Sequence, residues 1–206
     1  MNNVLISNIY SCNLGVFATK SAYCVVPIDA PAGEIVNADA CLAVSLKLSE
    51  SLACRVLAVD ANFGSATFPQ GCGKIGLRQL FDGENVSRDD LYINMRNGLF
   101  ILLSGQARVE DRALLATEGL NSILTGLREL FDVVVFQLPH ANAAFGGLAQ
   151  VARKFDGVII TLTCGRSRWE AAQNNVAMLK NGGARITGAL MEKRKFAIPQ
   201  WLYSRL

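Results

Sequence analysis

Short apolar runs alternate with helical patterns along this chain. Tyr23-Cys24-Val25-Val26-Pro27-Ile28 reads as a strand, followed by an apolar helical pattern from about Asn37 to Leu52. Arg55-Val56-Leu57-Ala58-Val59-Asp60 reads as a second strand ending in an acid. Phe63 to Lys74 is Gly-rich and reads as a loop, and Gly76–Gly83 reads as one short helix with a glycine stop. Leu99–Leu103 predicts a strand. A long helix then ends near Phe131, with Leu120, Ile123, Leu124, Leu127, Leu130 and Phe131 at helical spacing. Asp132–Phe136 predicts a buried strand, Ala143–Arg153 a small-residue helix and Gly157–Leu162 another strand. Ser167 and Glu170 have capping-box spacing, so a helix is expected to open there. Its one face would carry Trp169, Ala172, Val176 and Leu179 into the core. Gly182-Gly183 stops it, and Arg185–Met191 is the last predicted strand.

Strand–helix–strand repeats predict an α/β fold: a doubly wound, mostly parallel sheet with helices on both faces. Such strands are buried on both sides and read as unbroken apolar runs. Ligands in such sheets bind beyond the carboxyl ends of the strands. The loops after Ile28, Val59, Phe136 and Leu162 are therefore the expected functional edge.

Composition agrees with that picture. The chain has 206 residues, 51% hydrophobic and 18% charged, with a mean hydropathy of +0.28. One domain over residues 1–206 is expected, with an N-terminal extension over 1–21 and a basic, aromatic tail over 192–206. No apolar run reaches the roughly 18 residues of a membrane span. The first residues lack a basic n-region and a proper apolar h-region, so no signal peptide is expected. A net charge of +3 is too small to imply nucleic acid. The six cysteines form no C-x-x-C pair and read as reduced thiols of a cytoplasmic protein. With one histidine, His140, a zinc site is not expected, and no metal ligands are assigned.

The order of motifs carries a resemblance. Arg55–Asn62 resembles the R-V-L-L-V-D-A-D strand of bacterial tyrosine autokinases and related deviant-Walker ATPases. Gly76–Gly83 is similar to the following G-L-S-D-L-L-x-G segment, and Gly98–Gly105 to G-L-x-V-L-P-A-G. Phe131–Pro139 resembles Y-D-Y-V-I-I-D-T-P-P, Asp156–Ile160 resembles A-D-G-V-I-L-V, and Cys164–Arg168 resembles V-x-A-G-x-T-R. The likeness spans about residues 22–195. It implies a P-loop NTPase type of sheet. It also implies a cytoplasmic component of exopolysaccharide or capsule assembly, peripheral to the inner membrane. The implied partner is the cytoplasmic end of a membrane polysaccharide co-polymerase, and homo-oligomerisation is a further expectation.

The departures from that pattern bear on chemistry. A P-loop after the first strand would read G-x-x-x-x-G-K-[ST], its amides cradling phosphates and its Lys neutralising them. The loop Asp29–Ala38 has one glycine and no cation; Ile35, Val36, Asn37 and Ala38 occupy the region of the Lys. The second acid of D-x-D is Asn62, and the acid after the fourth motif is Gln137. One Asp and two amides are a poor set for Mg²⁺, which wants carboxylate and phosphate oxygens. Lys20-Ser21 does not replace the motif, because its strand follows rather than precedes it. The family's Tyr-rich tail and its N-terminal E-x-x-R-x-x-R helix are also absent from this sequence.

The resemblance therefore implies a vestigial nucleotide pocket at Gly33, Glu34, Asn37, Asp60, Asn62 and Gln137, with no catalytic residue and no cofactor. Asp60 reads either as a residual metal ligand or as the cap of a turn. His140 reads as a loop histidine, since no motif sets a nucleophile beside it. The tail offers Arg194, Lys195, Phe196, Trp201 and Tyr203 as partner anchors. The expected function is a catalytically inactive, tyrosine-kinase-like regulatory subunit. The alternatives are a divergent active ATPase or kinase using Mg-ATP or ADP, and a positioning ATPase of the partition kind.

Overall fold

β-Branched and aliphatic runs that cannot be solvated on either side pair into one sheet. The computed structural model describes residues 17–28, 39–64, 67–68, 75–84, 87–141 and 147–192. Its strands are β1 (Ser21–Pro27), β2 (Val56–Asp60), β3 (Ile93–Asn94), β4 (Leu99–Leu102), β5 (Val133–Gln137), β6 (Gly157–Thr163) and β7 (Ile186–Glu192). Their spatial order is β3-β4-β2-β5-β1-β6-β7. All neighbours are parallel except β3 and β4. The α/β expectation of a mostly parallel sheet of P-loop NTPase type holds.

The helices are α1 (Asp39–Leu52), α2 (Leu77–Asp82), α3 (Arg88–Leu91), α4 (Gly119–Leu130), α5 (Leu148–Ala152) and α6 (Trp169–Asn181), with a 3₁₀ segment at Val109–Ala116. Alternation along each strand divides the core into two layers. Tyr23, Val25, Val56, Ala58, Val133 and Val135 face Ala40, Cys41, Val44 and Leu48 of α1. Ala22, Cys24, Leu57, Val59, Val134 and Phe136 belong to the layer with Leu120, Leu124 and Leu127 of α4, Val151 of α5 and Leu179 of α6. Cys24 and Cys41 thus sit in opposite layers, and the described cysteines are free thiols. Burial raises both thiols well above their ordinary range, so they stay protonated and inert.

Several local expectations need correction. The long helix before Phe131 is two pieces, the 3₁₀ segment and α4, because Thr117 adopts an extended conformation (φ −74°, ψ 164°) between them. Asn97 and Gly98 take positive φ (58° and 80°), and Met95 N donates to Leu99 O at 2.8 Å. That is the Asn-Gly hairpin signature, and it builds the antiparallel β3 that periodicity missed. Ser167 does not cap α6. Its Oγ accepts from Thr163 N at 2.9 Å and closes the turn after β6, leaving Arg168 at the N-cap. Trp169 is 69% exposed, not core: it shares a face with Ala172 and Leu179, but as the first residue of α6 it lies beyond the part of that face that is buried.

Candidate functional site at the carboxyl ends of β2 and β5

Residues Asp60 and Gln137 end adjacent strands and are register partners, with Ala61 N donating to Gln137 O at 3.0 Å. Strand alternation places both on the α1 side of the sheet. The negative charge of Asp60 adds to the burial that raises the Cys41 thiol. Both side chains are fully buried, and Asn62 is 2% exposed.

The carboxylate of Asp60 is consumed by its own loop. Oδ1 accepts from Asn62 N at 3.1 Å and Thr67 Oγ1 at 2.8 Å. Oδ2 accepts from Thr67 N at 2.9 Å and Phe68 N at 3.3 Å. Four donors fill the four lone-pair sites of a carboxylate. Burial lifts its carboxyl above the usual range, and the four hydrogen bonds oppose that without cancelling it. This is the geometry of a turn cap.

The two amides have different fates. Asn62 Oδ1 accepts from Arg112 Nη2 at 3.2 Å, and Arg112 Nε donates to Phe63 O at 2.9 Å. Gly64 (φ +82°) allows this approach, because a Cβ there would collide with the backbone of Val109 in the 3₁₀ segment. Gln137 Nε2 donates to Leu138 O at 3.0 Å, but its Oε1 is buried with no donor among the described residues. Beyond it, Leu138 N donates to Val25 O at 3.0 Å and Ala141 N to Pro27 O at 2.8 Å. These bonds seat His140 beside the end of β1. Its Nδ1 is buried without a partner among the described residues, and burial together with the charge of Arg112 lowers its pKa.

Asp60, Asn62 and Gln137 therefore lie at one sheet edge, where Arg112 contacts Asn62 and His140 follows β5. Arg112 was not legible in the sequence: it lies in a polar stretch after Gly105 that matches no motif. Gly33, Glu34 and Asn37 lie outside the described residues, as do Arg194, Lys195, Phe196, Trp201 and Tyr203. Mg²⁺ does not fit the described donors. The one carboxylate has no lone pair to offer, its neighbours are amides, and no metal-binding group of three His, Cys, Asp or Glu occurs among the described residues. No described helix is long and apolar enough to cross a membrane.

Solved structures share this architecture. The kinase domain of VpsO is 19% identical, with a TM-score of 0.73 over 85% of this chain and 85% of that one. The kinase domain of the Escherichia coli tyrosine kinase ETK is 16% identical, with a TM-score of 0.67 over 87% and 71%. A plasmid partition protein from Borrelia burgdorferi is 16% identical, with a TM-score of 0.62 over 90% and 85%. No protein-family model and no curated protein matches the sequence. The chain has the fold of bacterial tyrosine kinase domains and of partition-type P-loop proteins.

Proposed function

We propose that this chain is a catalytically inactive relative of the bacterial tyrosine kinases that acts as a binding and regulatory subunit of an exopolysaccharide or capsule system. The observation that carries the reading is the saturated carboxylate of Asp60, with amides at Asn62 and Gln137 where metal-binding acids belong. A loop after β1 without any cation points the same way. The polysaccharide setting is what the resemblance of the sequence motifs implies, and the tyrosine kinase domains that share the fold support the kinase likeness. Under this reading the partner is the cytoplasmic end of a membrane co-polymerase, and the chain is peripheral to the inner membrane through it.

The test is turnover by the purified full chain at saturating Mg-ATP. The expected result is no ADP release and no phosphotyrosine, since losing even one placed charge typically costs about 10²-fold or more in rate. A phosphotyrosine signal that disappears in a folded Asp60→Asn variant would contradict the reading.

A further inference from the structure

β7 ends the sheet on one side, and no described strand lies beyond it. Glu192 O accepts from Cys164 N at 3.0 Å, so the backbone groups of Glu192 face β6. The N–H and C=O of successive strand residues point to opposite sides, so Ala189 and Met191 present theirs outward. Such an edge is a template for another chain, and proteins ordinarily blunt it with charge, proline or a bulge. β7 has a register shift opposite Val158 and Ile159. Past it, residues 188–191 hold neither charge nor proline.

Apolar surface gathers at the carboxyl end of this edge. Leu190 is buried on the α1 side, so Ala189 and Met191 turn toward the α6 side. Both are exposed there, Met191 by 55%. Trp169 opens α6 on the same layer and is itself exposed. Hydrogen bonds hold these residues at one corner. Arg166 N and Ser167 N donate to Thr163 O at 3.1 and 3.0 Å, and the Cys164–Glu192 bond ties this turn to the end of β7.

The charges that flank the edge are mostly of one sign. Arg166 and Arg168 are exposed in the turn, and Arg185 is exposed just before β7. Lys193-Arg194-Lys195 follow the strand directly in the sequence. Against these six cations stand Glu170 and Glu192, which leaves +4 along one edge of a chain whose whole formal charge is +3. An anionic bilayer would match the charge but not the outward N–H and C=O groups, whereas an extended acidic backbone matches both. We propose that β7 is a docking edge for an extended, acidic segment of a partner protein. The segment pairs with Ala189 and Met191, packs apolar side chains on Met191 and Trp169, and sets carboxylates against Arg166 and Arg168. The edge gives the regulatory subunit proposed above its contact surface, and it rests on that reading only for the identity of the partner.

Selection from a displayed library of short random peptides on the immobilised full chain tests this edge. The expected winners alternate apolar residues with Asp or Glu. A labelled copy of one, followed by fluorescence anisotropy, should bind the full chain and weaken as salt is raised. Ala189→Pro removes an outward N–H from an edge strand, where proline is tolerated, and should weaken binding at least about tenfold. Trp169→Ser changes only an exposed side chain and should weaken it about fivefold or more. Binding should also slow hydrogen exchange of the Ala189 and Met191 amides, which keeps the test open if Ala189→Pro does not fold. No enrichment of acidic peptides, or no protection of those two amides, would overturn the edge. So would a peptide that loses affinity in Trp169→Ser but not in folded Ala189→Pro, since a side-chain patch of the kind a lipid surface meets would then suffice. ATP hydrolysis by the same sample would overturn the inactive reading and leave the edge standing.

Discussion

The two ends of the parallel sheet handle acidic residues in opposite ways. At the amino end, Asp132 and Asp156 each follow a phenylalanine and precede a strand. Asp132 Oδ2 accepts from Arg55 N at 2.9 Å, and Lys20 Nζ lies 3.7 Å from its other oxygen. Asp156 Oδ2 accepts from Ala22 N at 2.8 Å and from Arg128 Nη2 at 2.7 Å. Each acid ties the start of a neighbouring strand and has a cation. At the carboxyl end, among the described residues, Asp60 has four donors and no cation, while Arg112 has acceptors and no anion. Gln137 and His140 each leave a buried atom without a partner among the described residues. The amino end is built for stability. The carboxyl end carries polar groups that are satisfied only by their own loops or left unpaired among the described residues, though the amino end is not free of such atoms, since the buried Nε of Arg128 also has no partner there.

The largest expected effect breaks the carboxyl end. Asp60→Ala leaves three backbone amides and the Thr67 hydroxyl without their acceptor, so it should cost about 3 kcal/mol or more in chemical denaturation. A metal ligand in excess of structural need would instead leave stability unchanged or improved on removal. Asp156→Ala, its counterpart at the amino end, should cost about 1–2 kcal/mol. It strands Ala22 N, but its ion pair with Arg128 is partly exposed and adds little. Denaturation midpoints in the reverse order would break the comparison.

Gln137→Leu sharpens it. This buried amide is half satisfied, so an apolar residue of similar size should be neutral or stabilising within about 1 kcal/mol. A loss well beyond that would mean that Oε1 has a role in the folded state that its geometry does not reveal. The smallest effect is a pH dependence. His140 binds a proton less readily folded than unfolded, because its pKa is lowered by burial and by Arg112. Below its ordinary value of 6.5 the unfolded chain takes up the proton first, so stability falls as the solution is acidified through that range. His140→Gln should flatten this slope in melts between about pH 7 and pH 5.

The strands were legible because burial on both faces leaves apolar runs that little else produces. Val56–Asp60, Val133–Gln137 and Gly157–Thr163 fall where the pattern put them to within a residue or so. The Asn97-Gly98 pair has turn chemistry, but the strands it joins are too short to show a period. Trp169 misled because helical spacing says which residues share a face, not whether a first-turn residue reaches the core. The site was half legible. Asp60, Asn62 and Gln137 could be placed by strand ends and motif order. The Thr67 donors and the Arg112 contact arise from loops folding back across the edge, which no local pattern encodes. Gly76 shows the same limit: a Cβ there would collide with the Leu103 carbonyl and the Gly105 amide, a contact between segments far apart in sequence.

Under the proposed function, the carboxyl end of this sheet does not assemble a Mg-nucleotide site. Calorimetric titration of the full chain with ATP, once with Mg²⁺ and once with EDTA, tests it most directly. With Asp60 spent on its own loop, Mg²⁺ should not tighten binding of ATP. A saturable isotherm that tightens tenfold or more with Mg²⁺, about 1.4 kcal/mol, would contradict the account.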